Sequence, residues 1–258
     1  MDLTDAYANA AYIPHGTKYP DRWAAGAAAF RAQVSGQIGL TYGPGPREVF
    51  DMFAPAAPKG VVVFVHGGYW RAFDRSLWSH LAAGPLAQGW AVALPSYDLC
   101  PEVRIGQITA QMARAVDVIA GHVAGPVVLT GHSAGGHLVA RLACADVPLA
   151  CRGRVQRVLP ISAISDLAPL MQTDMNKDLR IDQAEALAES PVLQPKPTIP
   201  VSVWVGGAER PAFLDQSRWL AKAWNAPPTI VAGKHHFDII DALTDPKSDL
   251  VRDLLSDR

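Results

Sequence analysis

The sequence predicts an α/β fold with a mainly parallel central sheet covered by helices on both faces. Three observations carry that expectation. From Val61 onward, short apolar runs alternate with longer helix-compatible stretches. The first of these runs, "VVVFVH", is apolar or β-branched at nearly every position, as expected of a strand buried on both faces. The chain has 258 residues, 49% hydrophobic and 18% charged, enough to build one large core.

The elements follow in order. Residues 1–35 read as an N-terminal arm with one or two short helices. "QIGLTYG" and "REVFDMF" flank the turn "GPGP" and predict an antiparallel hairpin. After "VVVFVH" comes a helical stretch over about residues 77–88, then the strand "WAVALPSY" and a helix over about 106–122. "PVVLTGH" is the next strand, with a helix starting at Ala134, followed by the strand "RVLPISAI". Residues 166–198 break this rhythm with polar residues and four prolines, and read as a small cap-like insertion. The alternation resumes with "VSVWVGG", a helix over about 212–224, "PTIVAG" and a last helix. Right-handed crossovers join the parallel strands, and the whole of 1–258 is expected to be one domain.

The formal net charge of −1 gives no electrostatic footprint for nucleic acid or an anionic membrane. Three cysteines, Cys100, Cys144 and Cys151, with no CxxC spacing, fit a reducing compartment better than a disulfide framework. Asp2 and Asp5 stand where a signal peptide would carry Lys or Arg, and "WAAGAAAF" is far too short to span a bilayer. The expectation is a soluble cytoplasmic protein. A homodimer is compatible with the sequence, although no residue pattern argues for one.

Gly131-His132-Ser133-Ala134-Gly135 fits G-x-S-x-G between an apolar strand and a helix. In that context the glycines clear space around a serine on a sharp strand-to-helix turn. A nucleophilic serine needs a base, and the base needs an orienting acid. Of the histidines after Ser133, His137 rides the following helix away from the turn. His235 and His236, in "GKHHFD" after the last predicted strand, remain, and His236 is preferred. For the acid, Glu209 follows "VSVWVGG" directly, Asp215 falls inside the next helix, and Asp166, one strand earlier, competes. "VVVFVHGGYW" ends a strand in two glycines, so Gly68, Tyr69 and Ala134 are the expected oxyanion donors. His66 is expected to brace that loop.

With these residues in view, the chain resembles the α/β-hydrolases, and more closely the kynurenine formamidase (arylformamidase) family. The likeness rests on HGGYW at His66 to Trp70 and GHSAG-H at Gly131 to His137. "SYDLCPE", "SAISDLAPL", "ESPV", "RPAFLDQSR" and "HHFDII" follow in the same order. The resemblance implies Ser133 as nucleophile and His236 as base. It sets Glu209 at the acidic position, where that family usually carries Asp. It implies a small-molecule substrate and no cofactor or metal, in keeping with the absence of HExxH or a Gly-rich phosphate loop.

Tyr69 and Trp70 are candidates for substrate contact, with Phe73 close by; packing of Trp70 beneath the loop is the equal alternative. Met171, Met175 and Leu179 are candidate linings from the cap, and Arg71 and Arg210 candidate partners for a carboxylate. The expected activity is hydrolysis of an aryl formamide such as N-formylkynurenine through an acyl-enzyme. The alternative is a carboxylesterase using the same residues, and a binding protein that has lost the chemistry is the reading from a different class.

Overall fold

The computed structural model describes residues 2–256. Eight strands form one sheet in the order β1-β2-β4-β3-β5-β6-β7-β8. The predicted hairpin is β1 (Gln37–Thr41) and β2 (Val49–Phe53), and β2 pairs antiparallel with β4 (Ala91–Pro95). From β3 (Val61–Val65) through β5 (Val127–His132), β6 (Val155–Ile161), β7 (Trp204–Gly206) and β8 (Thr229–Val231) the pairing is parallel.

The apolar runs do what an all-buried strand must. In β3, Val61, Val63 and Val65 feed one core, while Val62 and Phe64 feed a second core on the opposite face. β4 splits the same way, with Ala91 and Ala93 on one side and Val92 and Leu94 on the other. Side chains alternate across a strand, so two cores demand an unbroken apolar run. Helices α3 (Ile105–His122), α4 (Ala134–Ala143) and α7 (Pro211–Trp224) bury residues in the first core. Helices α1 (Tyr19–Gln33) and α8 (Asp249–Leu254) contribute to the second.

Several elements differ from the sequence expectation. The stretch expected as one helix over 77–88 is two short 3₁₀ turns, Arg75–Leu77 and Ser79–Ala82, followed by α2 (Ala83–Ala87). Pro85 has no N–H to continue a helix begun earlier, and it is tolerated only in the first turn of α2. The arm holds three 3₁₀ turns and the 15-residue α1, more structure than one or two short helices. β7 is only three residues; the beginning of its apolar run forms a single bridge, Val201 to Val158. Residues 166–198 carry α5 (Asn176–Leu179), α6 (Gln183–Glu189) and two 3₁₀ turns. Among the described residues no helix is long and apolar enough to cross a membrane.

Candidate active site

The chain runs from β3 to β4 on one side, then crosses back to β5 on the other side of β3. That reversal opens a crevice beyond the carboxyl ends of β3 and β5, the usual ligand position in such sheets. A cavity of about 920 Å³ lies there, lined by Gly67, Gly68, Tyr69, Ser133 and His236 among others.

Ser133 sits between β5 and α4 at φ 57°, ψ −117°, a conformation that non-glycine residues rarely adopt. The turn is clamped by Ser133 N–H donating to Ile161 O at 2.9 Å and by His137 N–H donating to Ser133 O at 3.0 Å. Gly135 permits it: a Cβ there would lie 2.0 Å from Val65 O, so α4 meets the end of β3 only through a glycine. The amide of Ala134 is the first of α4, where no intrahelical acceptor exists. Across the crevice, Gly68 adopts φ 111°, and a Cβ there would strike Ala72 O at 2.6 Å.

His236 and Glu209 meet from separate loops. The Nδ1 of His236 lies 2.6 Å from Glu209 Oε2, with both side chains almost fully buried. A carboxylate can only accept, so Nδ1 carries the proton and Nε2 is left as an acceptor. The other oxygen of Glu209 accepts from Ser162 Oγ at 2.5 Å and from Gly206 N–H at 2.8 Å. The ring of Phe213 packs against His236, centroids 4.2 Å apart. Asp166 lies elsewhere: its carboxylate accepts from Ala168 N–H, and its backbone is tied to Gln216. Asp215 pairs with Arg218 on α7, and His235 Nε2 meets Tyr19 Oη at 3.0 Å.

Two supports were not legible in the sequence. Ser162 gave no signal as a partner of Glu209. His132 occupies the variable position of G-x-S-x-G, yet its Nε2–H donates to His236 O at 2.8 Å. Burial, with His236 beside it, holds the His132 imidazole well below its usual pKa, so it stays neutral and Nε2 can be its one N–H. His66 lies between Tyr97 and Trp78, stacked on Tyr97 with centroids 4.3 Å apart, and its Nδ1 contacts Gly67 O at 2.7 Å. Burial pushes its pKa down to about 4, which suits a neutral brace.

The cavity wall corrects several expectations. Trp70 is fully buried and does not line the cavity; it packs edge-on against His137, centroids 5.0 Å apart. Tyr69 and Trp70 have φ of 52° and 54°, two left-handed residues in succession, so the loop turns sharply between a cavity-lining residue and a core residue. The aromatic wall is Trp23, Phe73, Trp78 and Phe237, with Tyr69 as a further lining residue. Of the cap methionines only Met175 lines the cavity; Met171 faces solvent and Leu179 is core. Arg71 lines it but is paired with Asp178 at 2.5 Å. Arg210 lies 3.6 Å above the Tyr12 ring and is bonded to Asp5.

The largest difference is the arm. Thr4, Tyr7, Ala8, Asn9, Ala10 and Ala11 all line the cavity, against Met175 and Asp178 from 166–198. Tyr69 Oη donates to Tyr7 O at 2.5 Å, Gln216 Nε2 donates to Tyr7 Oη at 2.8 Å, and Leu3 N–H donates to Gln172 O at 2.9 Å. The arm is thus strapped over the crevice.

Comparison with known proteins agrees with this architecture. The chain is 54% identical to a Silicibacter sp. protein described as a candidate thioesterase, with a TM-score of 0.97 and coverage of 99% of this chain and 100% of that one. Esterase B from Lactobacillus rhamnosis shares the fold at 21% identity and a TM-score of 0.71, covering 92% and 94%. The kynurenine formamidase of Drosophila melanogaster is 30% identical over 237 residues, 83% of this chain and 78% of that protein. That of Salmo salar is 28% identical over 238 residues, 84% and 80%. The model of the alpha/beta hydrolase family matches residues 62–253, most of the chain, and the protein belongs to that family.

Proposed function

We propose that this hydrolase is a serine amidohydrolase of the arylformamidase kind, acting on N-formylkynurenine or a related aryl formamide. The observation that carries the reading is one geometry: a serine at positive φ on the β5–α4 turn, and a buried Glu209–His236 pair whose imidazole lines the same cavity. Ser133 Oγ attacks the formyl carbon as His236 Nε2 takes its proton. The oxyanion rests on the amides of Gly68, Tyr69 and Ala134, each worth about 3–4 kcal/mol. His236 then gives the proton to the leaving nitrogen, the C–N bond breaks, and the arylamine departs. Water, giving its proton to His236 Nε2, attacks the formyl-enzyme; the C–O bond to Ser133 breaks as His236 returns that proton to Ser133 Oγ, and formate leaves. Glu209 holds the imidazole in the required tautomer throughout. The aromatic wall of Trp23, Phe73, Trp78 and Phe237 supplies flat apolar surface for an aryl ring. The likeness to two kynurenine formamidases supports the choice of substrate.

A second reading, a carboxylesterase with the same residues, is favoured by the esterase among its structural neighbours. A third, thioester hydrolysis, takes its support from the Silicibacter protein. The test is kcat/KM for N-formylkynurenine beside p-nitrophenyl acetate, with Ser133→Ala as control. A formamide value near 10⁴ M⁻¹s⁻¹ or above, on the order of ordinary enzymes, supports the first reading. Turnover of the ester alone, abolished in Ser133→Ala, leaves the serine mechanism and removes the formamidase. Fluorophosphonate labelling that persists in Ser133→Ala would remove Ser133 as nucleophile.

A further inference from the structure

We propose that Arg71 and Asp178, in the wall of the cavity that holds Ser133, form a recognition site for an α-amino acid group on the substrate. Arg71 Nη2 donates to its carboxylate, and Asp178 Oδ1 accepts from its ammonium. The inference rests on the formamidase reading above and narrows its substrate to an aryl formamide that carries a zwitterion.

Arg71 belongs to the loop that follows β3. A Cβ on Gly67 would lie 3.0 Å from Ser133 Cβ, so this loop passes directly beside the serine. Arg71 N–H donates to Gly68 O at 3.0 Å, which folds the chain back within one turn. Asp178 comes from α5, and its Oδ2 accepts from Arg71 Nη1 at 2.5 Å. Both residues line the cavity with Ser133 and His236, and both side chains reach solvent, Arg71 31% exposed and Asp178 49%. The ion pair engages only half of each group. Arg71 Nη2 and Asp178 Oδ1 have no hydrogen-bond partner among the described residues, and neither atom is enclosed.

Among the described residues that line this cavity, the acidic and basic side chains are Arg71, Asp178 and the exposed Glu102. Cys100 N–H donates to Trp70 O at 2.8 Å, which ties the segment leading to Glu102 to the residue before Arg71. A lone anion would meet two carboxylates around a single cation, and a lone cation would meet Arg71 beside Asp178. An α-amino acid group carries both signs on one carbon. Laid against the Arg71–Asp178 pair, it makes the four charges alternate: each faces its opposite, and like charges meet only across the diagonal. Glu102, a carboxylate in surplus, favours a ligand with an ammonium over one with a carboxylate alone. The aromatic wall of Trp23, Phe73, Trp78 and Phe237 lines the same cavity, so ring and zwitterion have separate surfaces to meet.

The test is calorimetric titration of the Ser133→Ala protein, which reads binding without turnover. The ligands are N-formylkynurenine, its deamino analogue and its decarboxylated analogue. The zwitterion is expected to bind roughly tenfold more tightly than either, the gain of about one charge-assisted hydrogen bond. Adding Arg71→Gln is expected to erase the advantage over the decarboxylated compound, and adding Asp178→Asn the advantage over the deamino compound. An advantage that survives its substitution would overturn the proposal, as would equal binding, or no binding, of the three ligands by the Ser133→Ala protein. Equal weakening of all three by both substitutions would mean that the pair only ties α5 to the loop, and would overturn it too. The formamidase reading is judged separately, by turnover in the wild-type protein. Ester hydrolysis without N-formylkynurenine hydrolysis removes that reading while the titration still decides the zwitterion site. Formamide turnover with equal binding of the three ligands keeps that reading and removes the site.

Discussion

The β5–α4 turn and the N-terminal arm face each other across one cavity, yet they are held by different forces. The turn is fixed by backbone geometry: a strained Ser133, glycine contact at Gly135, and strands buried in two cores. The start of the arm is fixed by the buried Tyr7 ring, one backbone bond from Leu3 to Gln172, and several side-chain ties. Tyr7 meets Tyr69 and Gln216, Asp5 meets Arg210, and Thr4 Oγ1 accepts from Asp174 N–H. Moving the turn would disrupt both packed cores, whereas the first residues of the arm add exchangeable polar ties to the single buried ring of Tyr7. On the proposed function, that difference divides the work: the sheet carries the reaction, and the strap forms part of the wall that meets the substrate.

That division predicts where substitutions register. The largest expected effect is that of Glu209→Gln, which removes the fixed acceptor of the His236 Nδ1 proton. A loss of about 10³–10⁴ in kcat is expected on amide and ester alike, measured by steady-state kinetics. A loss on one class only would show that the sheet also discriminates. Next, Trp70→Ala empties a fully buried site behind the HGGYW loop and is expected to cost about 3–5 kcal/mol of stability. Urea melts would read it, and a small loss would mean that the loop is not held by the core.

Acid sharpens the same contrast. Burial depresses His66 and His137 to about 4 in the folded chain, against about 6.5 when unfolded. Below pH 6.5 the unfolded chain binds protons that the folded chain refuses. Stability is therefore complete above that pH and falls as pH drops toward 4, on the order of 3 kcal/mol for each imidazole at the end. Thermal melts from pH 8 to 4 should be flat above about 7 and decline below about 6.5. The smallest effect is expected of Arg210→Ala. Its pair with Asp5 is partly exposed, so stability should change by less than about 1 kcal/mol. KM should rise severalfold with kcat nearly constant, because the strap loosens while the turn does not.

The same contrast explains what the sequence disclosed. Runs such as "VVVFVH" and "PVVLTGH" announce themselves because a strand between two cores has no polar face. The strand-to-helix setting of Gly131 to Gly135, the hairpin and α3 follow from equally local rules. Glu209 could be preferred over Asp166 from its place after "VSVWVGG", although nothing local marks Ser162 as its partner. The fate of Trp70 depended on two consecutive positive φ angles, which no tyrosine–tryptophan pair advertises. The arm was legible as helical and illegible as a wall. Its position depends on bonds between residues about 60 to 210 apart in the chain, such as Tyr7 with Tyr69 and with Gln216.

The hydrogen bond from His132 to the carbonyl of His236 bears on how positional error spreads through the molecule. His236 hangs on a return loop after β8, a three-residue strand at the margin of the sheet, where Ile230 is exposed. By covalent connection alone, the imidazole would inherit every sway of that margin relative to the central strands. The His132 bond closes a short circuit from the residue next to Ser133 directly to the backbone of His236. Registration of His236 to Ser133 is thereby referenced to the middle of the sheet. A displacement of the outer strands then reaches the imidazole only by stretching or breaking that one bond.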